Sequence, residues 1–161
     1  MGPERVIGNL EKRFPGEIVE ASKDGEDLVL VIRPEALLRI MGSLKGPPYS
    51  YKLLLDLTCV DFRRDAGAFE MVYHLYSLDA NGRVRVKVRL PADAPLLDSL
   101  AGLWRNANWL EREVYDMFGV VFRGHPDLKR ILMYDGFEGF PLRKDYPLRR
   151  RQPKAVKGNS T

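Results

Sequence analysis

The sequence predicts an α+β domain with helices on one face of a mixed sheet, followed by a long helix and an extended C-terminal arm. Two segments carry apolar residues at helical spacing between Pro and Gly boundaries, five others have the length and composition of strands, and after Gly119 no regular period survives. With 161 residues, 45% of them hydrophobic and 30% charged, the chain has the composition of one globular domain with a tail.

Pro3 suits an early helical position, and Val6, Ile7, Leu10 and Phe14 follow at helical spacing until Pro15-Gly16 ends the pattern. Residues 17–21 and 27–33 read as a hairpin across the turn-prone Ser22-Lys23-Asp24-Gly25, and the second strand is apolar enough to be internal. Pro34 opens a second helix with Leu37, Leu38, Ile40, Met41 and Leu44 on one apolar face, closed by Gly46-Pro47-Pro48. Three strands follow at residues 51–60, 69–78 and 84–90, the last alternating strictly, so one of its faces is wet. Asn81-Gly82 marks an antiparallel hairpin between the last two. Residues 95–118 read as helical, broken in two by Gly102 and Asn106-Ala107-Asn108. Beyond them Gly and Pro punctuate the chain every few residues, which gives a core domain with its motif helix at 1–118 and an arm with a basic tail at 119–161.

Several functions are excluded on these grounds. The longest apolar runs, such as 28–32, fall far short of the roughly 20 residues that cross a bilayer. The start lacks the layout of a secretion signal or organelle presequence, so a cytoplasmic location is expected. Cys59 is the only cysteine, which rules out an internal disulfide and a four-thiolate cluster. Of the net charge of +4, residues 141–161 supply +6, seven Lys and Arg against Asp145, leaving the first 140 residues at −2. The basic character thus belongs to the tail, which is a poor argument for nucleic-acid binding by the folded domain.

The densest polar and aromatic cluster runs from Trp109 to Leu132. On a helix, Leu110, Val114 and Met117 form a stripe, with Glu113 and Asp116 on one flank and Glu111 and Tyr115 on the other. Glu111 and Glu113 lie about 200° apart, too far to converge as a general acid and base. Arg112 and Asp116 have the spacing of an ordinary surface pair, and Glu113 is expected to be partly buried against Arg130 or Arg143. His125, between Gly124 and Pro126, suits a turn cap better than a metal site, because His74 is the only other histidine. No dinucleotide or phosphate-binding loop follows a strand. Phe137, Phe140 and Tyr146 interleave with Arg143 and Lys144, a pattern that serves a single-stranded nucleic-acid platform or a protein interface equally well.

Glu111-Arg112-Glu113, two residues, Asp116-Met117-Phe118, six residues, His125, three residues, Lys129, Arg130, then Ile131-Leu132 strongly resembles the C subunit family of the proton-pumping NADH:quinone oxidoreductase, respiratory complex I. The stretch from Asp135 through Phe137, Phe140, Arg143, Lys144 and Tyr146 to Pro147 resembles the arm of that family. The resemblance implies a structural subunit without a catalytic site or cofactor of its own. FMN and iron-sulfur clusters would reside in partner subunits, and the motif and arm residues would face the quinone-site subunit and neighbouring iron-sulfur subunits. The chain would be peripheral, on the cytoplasmic side of the membrane, and would bind no nucleic acid. Two alternatives are the equivalent subunit of a ferredoxin-dependent quinone reductase or energy-converting hydrogenase, and an RNA-binding module that uses the basic tail.

Overall fold

The computed structural model describes residues 3–149. Helix α1 (Pro3–Arg13) is followed by β1 (Ile18–Asp24), β2 (Asp27–Ile32), a single 3-10 turn at Pro34–Ala36 and α2 (Leu37–Lys45). Then come β3 (Leu53–Phe62), the one-turn α3 (Arg63–Ala66), β4 (Ala68–Ser77), β5 (Gly82–Pro91), β6 (Leu96–Asp98), α4 (Ala107–Phe118) and β7 (Val121–Arg123). The large sheet has the order β1-β2-β5-β4-β3 and is mixed, because β2 and β5 run parallel while the other neighbours are antiparallel.

Register places one face of each strand in the core. Leu30, Val86, Tyr73 and Leu57 lie in one row across four strands, and each is at most 3% exposed. The apolar faces of α1 (Val6, Leu10) and α2 (Leu37, Ile40, Met41, Leu44) join the same core, and each such side chain contributes about 1.5 to 3 kcal/mol by leaving water. The other sheet face is polar along β5, as its strict alternation requires. There Lys87 and Arg89 pair with Glu70 at 3.0 and 3.4 Å, and Arg85 pairs with Asp24 at 3.1 Å. Their aliphatic stems share this face with Val31 and Val72, which are nearly buried.

Four expectations change. Only residues 107–118 of the expected 95–118 helix are helical, since 96–98 form a strand that pairs in parallel with 121–123 inside the expected arm. Each ribbon strand is three residues long, too short for a detectable period. Leu38 is 41% exposed and so does not share the core face of α2. The first hairpin turns more tightly than its loop-like composition suggests: β1 runs to Asp24, which pairs with Asp27, and Gly25 takes the left-handed conformation at φ 65°. Finally, the short α3 between β3 and β4 is additional to the expected elements.

Candidate functional site

Helix α4 is docked at its start by side chains that satisfy the edge of β3. Trp104 Nε1 donates to the Lys52 carbonyl at 3.0 Å, and Asn106 Nδ2 donates to the Leu54 carbonyl at 2.7 Å, beside the irregularity between Leu54 and Asp56. Val114 and Met117 then face the core, and Phe118 meets Phe69 edge-on at 6.2 Å. The helix ends at Gly119, whose φ of 75° favours glycine. A Cβ there would also lie 2.6 Å from Arg143 Nη2 and from the Phe140 ring.

The motif acids differ in surroundings. Asp116 is fully buried and accepts hydrogen bonds from the successive backbone N–H groups of Ile131, Leu132 and Met133 at 3.0, 2.7 and 2.8 Å. Arg130 closes the site with an ion pair to Asp116 Oδ1 at 2.8 Å. Burial works against the Asp116 charge, yet these four donors more than offset it, and the carboxyl is held below its ordinary range. Arg112, 8% exposed, lies along the same segment and donates to the Lys129 and Arg130 carbonyls at 3.1 and 3.2 Å. Arg112 and Asp116 are therefore two separate clamps on residues 129–133, in place of the expected surface pair. Glu113 corrects a second expectation: it points outward and is exposed, and Arg130 is committed to Asp116 and the Gly139 carbonyl. The helical period located the flank correctly but carried no information that the arm covers Asp116 and leaves Glu113 in water.

Further along, arginines and aromatic rings alternate as a ladder. Arg130 lies over Phe137 and Phe140 at 5.7 and 5.3 Å, and Arg143 lies between Phe140 at 4.4 Å and Phe69 at 5.3 Å. Phe137 stacks on Tyr146 at 5.9 Å, and Arg143 Nε donates to the Phe118 carbonyl. These cation–π contacts join the arm to the domain face. The aromatic and basic residues that suggested either a nucleic-acid platform or an interface are thus engaged with one another.

A second carboxylate anchors the far end. Asp61, on the last core-facing position of β3, accepts from the Lys144 backbone N–H at 2.7 Å and from Arg63. Arg63 reaches across to Asp145 at 2.6 Å, and the Lys144 ammonium sits 6.0 Å from the Phe62 ring. Burial raises the Asp61 pKa, but the donors from Arg63 and Lys144 prevail and bring it to about 2. Neither Asp61 nor Arg63 was singled out in the sequence. The available signal was an acid in phase with the core residues Leu57 and Cys59.

On the opposite flank of α4, Glu111 is fully buried, accepting from Ser99 Oγ at 2.5 Å and the Leu100 N–H at 2.6 Å. The His125 ring is equally enclosed, with Nε2 3.9 Å from Glu111 Oε2. His125 caps its own turn, because the Asp127 N–H donates to Nδ1 at 3.0 Å, which leaves Nε2 to donate to the Asn108 carbonyl at 3.0 Å. Lys129 pairs with Asp127 at the surface. Among the described residues no group of three or more His, Cys, Asp or Glu is arranged to hold a metal ion.

Residues 30–152, which contain α4, both carboxylate anchors and the ladder, match the family described as respiratory-chain NADH dehydrogenase, 30 Kd subunit. The chain belongs to this family. It is 37% identical to the C subunit of NADH-quinone oxidoreductase from Geotalea uraniireducens (strain Rf4) over 154 residues, 96% of this chain and 93% of the relative. To the C 2 subunit of the same enzyme from Rhizobium etli (strain CIAT 652) it is 50% identical over 122 residues, 75% of this chain but only 65% of that longer relative. Among solved structures, a trypsin-resistant fragment of Nqo5 matches with a TM-score of 0.68 and 33% identity, over 80% of this chain and all of that one. A chain of the membrane-bound sulfane sulfur reductase, an archaeal respiratory membrane complex, matches with a TM-score of 0.74 and 27% identity, over 90% of this chain and 85% of that one. The 30 Kd family thus accounts for the α+β core with its mixed sheet, and no helix among the described residues is long and apolar enough to cross a membrane.

Proposed function

We propose that this 30 Kd family member is a non-catalytic assembly subunit of NADH:quinone oxidoreductase. The complex passes electrons from NADH through FMN and iron-sulfur clusters to quinone and couples this to proton translocation. FMN and the clusters reside in partner subunits, and this chain binds no cofactor. It sits peripherally on the cytoplasmic side and contacts the quinone-site subunit and neighbouring iron-sulfur subunits through its arm.

The observation that carries this reading is the use made of the motif's charges. Asp116 and Arg112 are committed to gripping the backbone of residues 129–133, Arg130 to locking that segment onto Asp116, and Asp61 to gripping residue 144. Machinery of this kind shapes a surface. Beside the anchored residue 144, Leu142 at 55% exposure and the exposed Leu148 lie among Arg64, Lys144 and Arg149, and the segment gripped by Asp116 presents Leu132 at 57% exposure. Large apolar groups on a pre-shaped support, ringed by charge, have the anatomy of a protein interface.

Affinity purification of the tagged chain from its native membrane tests the assignment. An FMN-binding, NADH-oxidising subunit is expected to copurify; a nickel-binding large subunit in its place would move the chain to a hydrogenase-type complex. The isolated chain is expected to show no visible-range absorbance, and stoichiometric flavin or iron in a partner-free preparation would overturn the cofactor assignment.

A further inference from the structure

Glu111 and His125 take no part in holding the arm's exposed surface, yet both are walled off from water at its root. Because β6 and β7 run parallel, Ser99 and Leu100 after β6 and His125 after β7 lie at the same end of the ribbon, where Glu111 on α4 accepts from the first two and lies beside the third. We propose that Glu111, Ser99 and His125 form a proton-operated clasp, closed when Glu111 is protonated and loosened when it ionises, which sets how firmly the β6–β7 ribbon holds the root of the arm.

The partners of the Glu111 carboxyl are neutral: the Leu100 N–H donates to Oε1, and the Ser99 hydroxyl, 2.5 Å from Oε2, donates to the carboxylate or accepts the proton of the protonated carboxyl. Among the described residues the one basic side chain within ion-pair distance of Glu111 is the His125 imidazole. Its Nε2 proton is given to the Asn108 carbonyl, and its Nδ1 lone pair is held by the Asp127 N–H. Tyr73, reaching over from β4, is buried, and the Glu111 charge adds to the burial that keeps its phenol protonated. Beyond it on β3 the Cys59 thiol is pushed up to about 12, chiefly by burial. No lysine or arginine among the described residues forms an ion pair with Glu111. An ionised Glu111 therefore carries a desolvated charge with no cation against it, a state that favours opening to water.

Burial raises the Glu111 pKa to about 7 despite the two hydrogen bonds. The open, hydrated form would titrate near the ordinary value of 4.5. Between these values the closed form binds more protons than the open form, so rising pH drives opening until the closed form has itself ionised. The clasp is a property of the chain alone and does not rest on the identity of the complex.

Hydrogen exchange of the full-length chain, with amide rates corrected for intrinsic base catalysis, reads the opening directly. Protection of the Leu100 amide and of residues 121–125 is expected to fall by up to about tenfold per pH unit between pH 5 and 7 and to level off above pH 7. In E111Q the same amides should show no such slope. Pairing this with the side-chain carboxyl carbon signal of Glu111 in the wild-type protein keeps the test independent of how well the variant folds. A midpoint near 7 supports the clasp. A midpoint near 4.5, a flat protection profile in the wild type, or an unchanged slope in E111Q overturns it.

Discussion

At the scale of single residues, two acids three positions apart on α4 should respond very differently to loss of charge. Asp116→Asn removes the ion pair with Arg130 and sets an amide against backbone donors, so a loss of about 3 to 5 kcal/mol is expected from denaturant unfolding. Glu113→Gln, on the exposed side, should stay within about 0.5 kcal/mol of wild type in the same measurement. Gly119→Ala combines a positive φ with contacts of 2.6 Å and should cost about 2 kcal/mol or more, visible as a lower Tm. Asp61 supplies a pH signature of opposite sign to Glu111. Its folded pKa of about 2 lies below the ordinary 3.8, so its contribution is fully present above pH 3.8 and is lost as pH falls through about 2. Acid titration of wild type should therefore lose on the order of 1 to 2 kcal/mol more than titration of Asp61→Asn, and parallel curves would count against the anchor.

Among the elements, those that bury a face through their own period were legible in the sequence. The apolar stripes of α1 and α2 and the strict alternation of β5 announce which side meets the core, and their pairing follows. The β6–β7 ribbon left no such trace, because its parallel pairing joins segments more than 20 residues apart and only Leu97 and Phe122 turn inward. The arm was opaque for another reason. A segment without a buried stripe of its own gives no sign of what supports it, and here Asp116, Arg112 and Asp61 seize its main chain, whose atoms carry no sequence signature. The motif itself was visible, and so were the residues of the ladder. Their partners were hidden, since a cation–π stack between Arg143 and Phe69 spans 74 positions. Residues 150–161, which hold most of the basic tail, lie outside the described residues.

For the whole molecule, the core and the arm make separable contributions. Truncation after Phe140 removes Arg143 from between its two rings and frees Asp61 from Lys144, while Asp116 keeps its grip on residues 131–133. The shortened chain should still fold, melt several degrees lower, and capture the quinone-site subunit much more weakly in a pull-down; equal capture by both lengths would refute the docking role of the distal arm. A different consequence follows from the three N–H groups bound by Asp116. A grip on main chain is indifferent to the side chains it presents, so Leu132 is a site where the outer surface can be rewritten without loosening its support. Leu132→Glu should accordingly leave the denaturation midpoint unchanged while altering which partners are retained. A family built on such a socket could change its neighbours through substitutions at a few displayed positions, with the fold that displays them held constant.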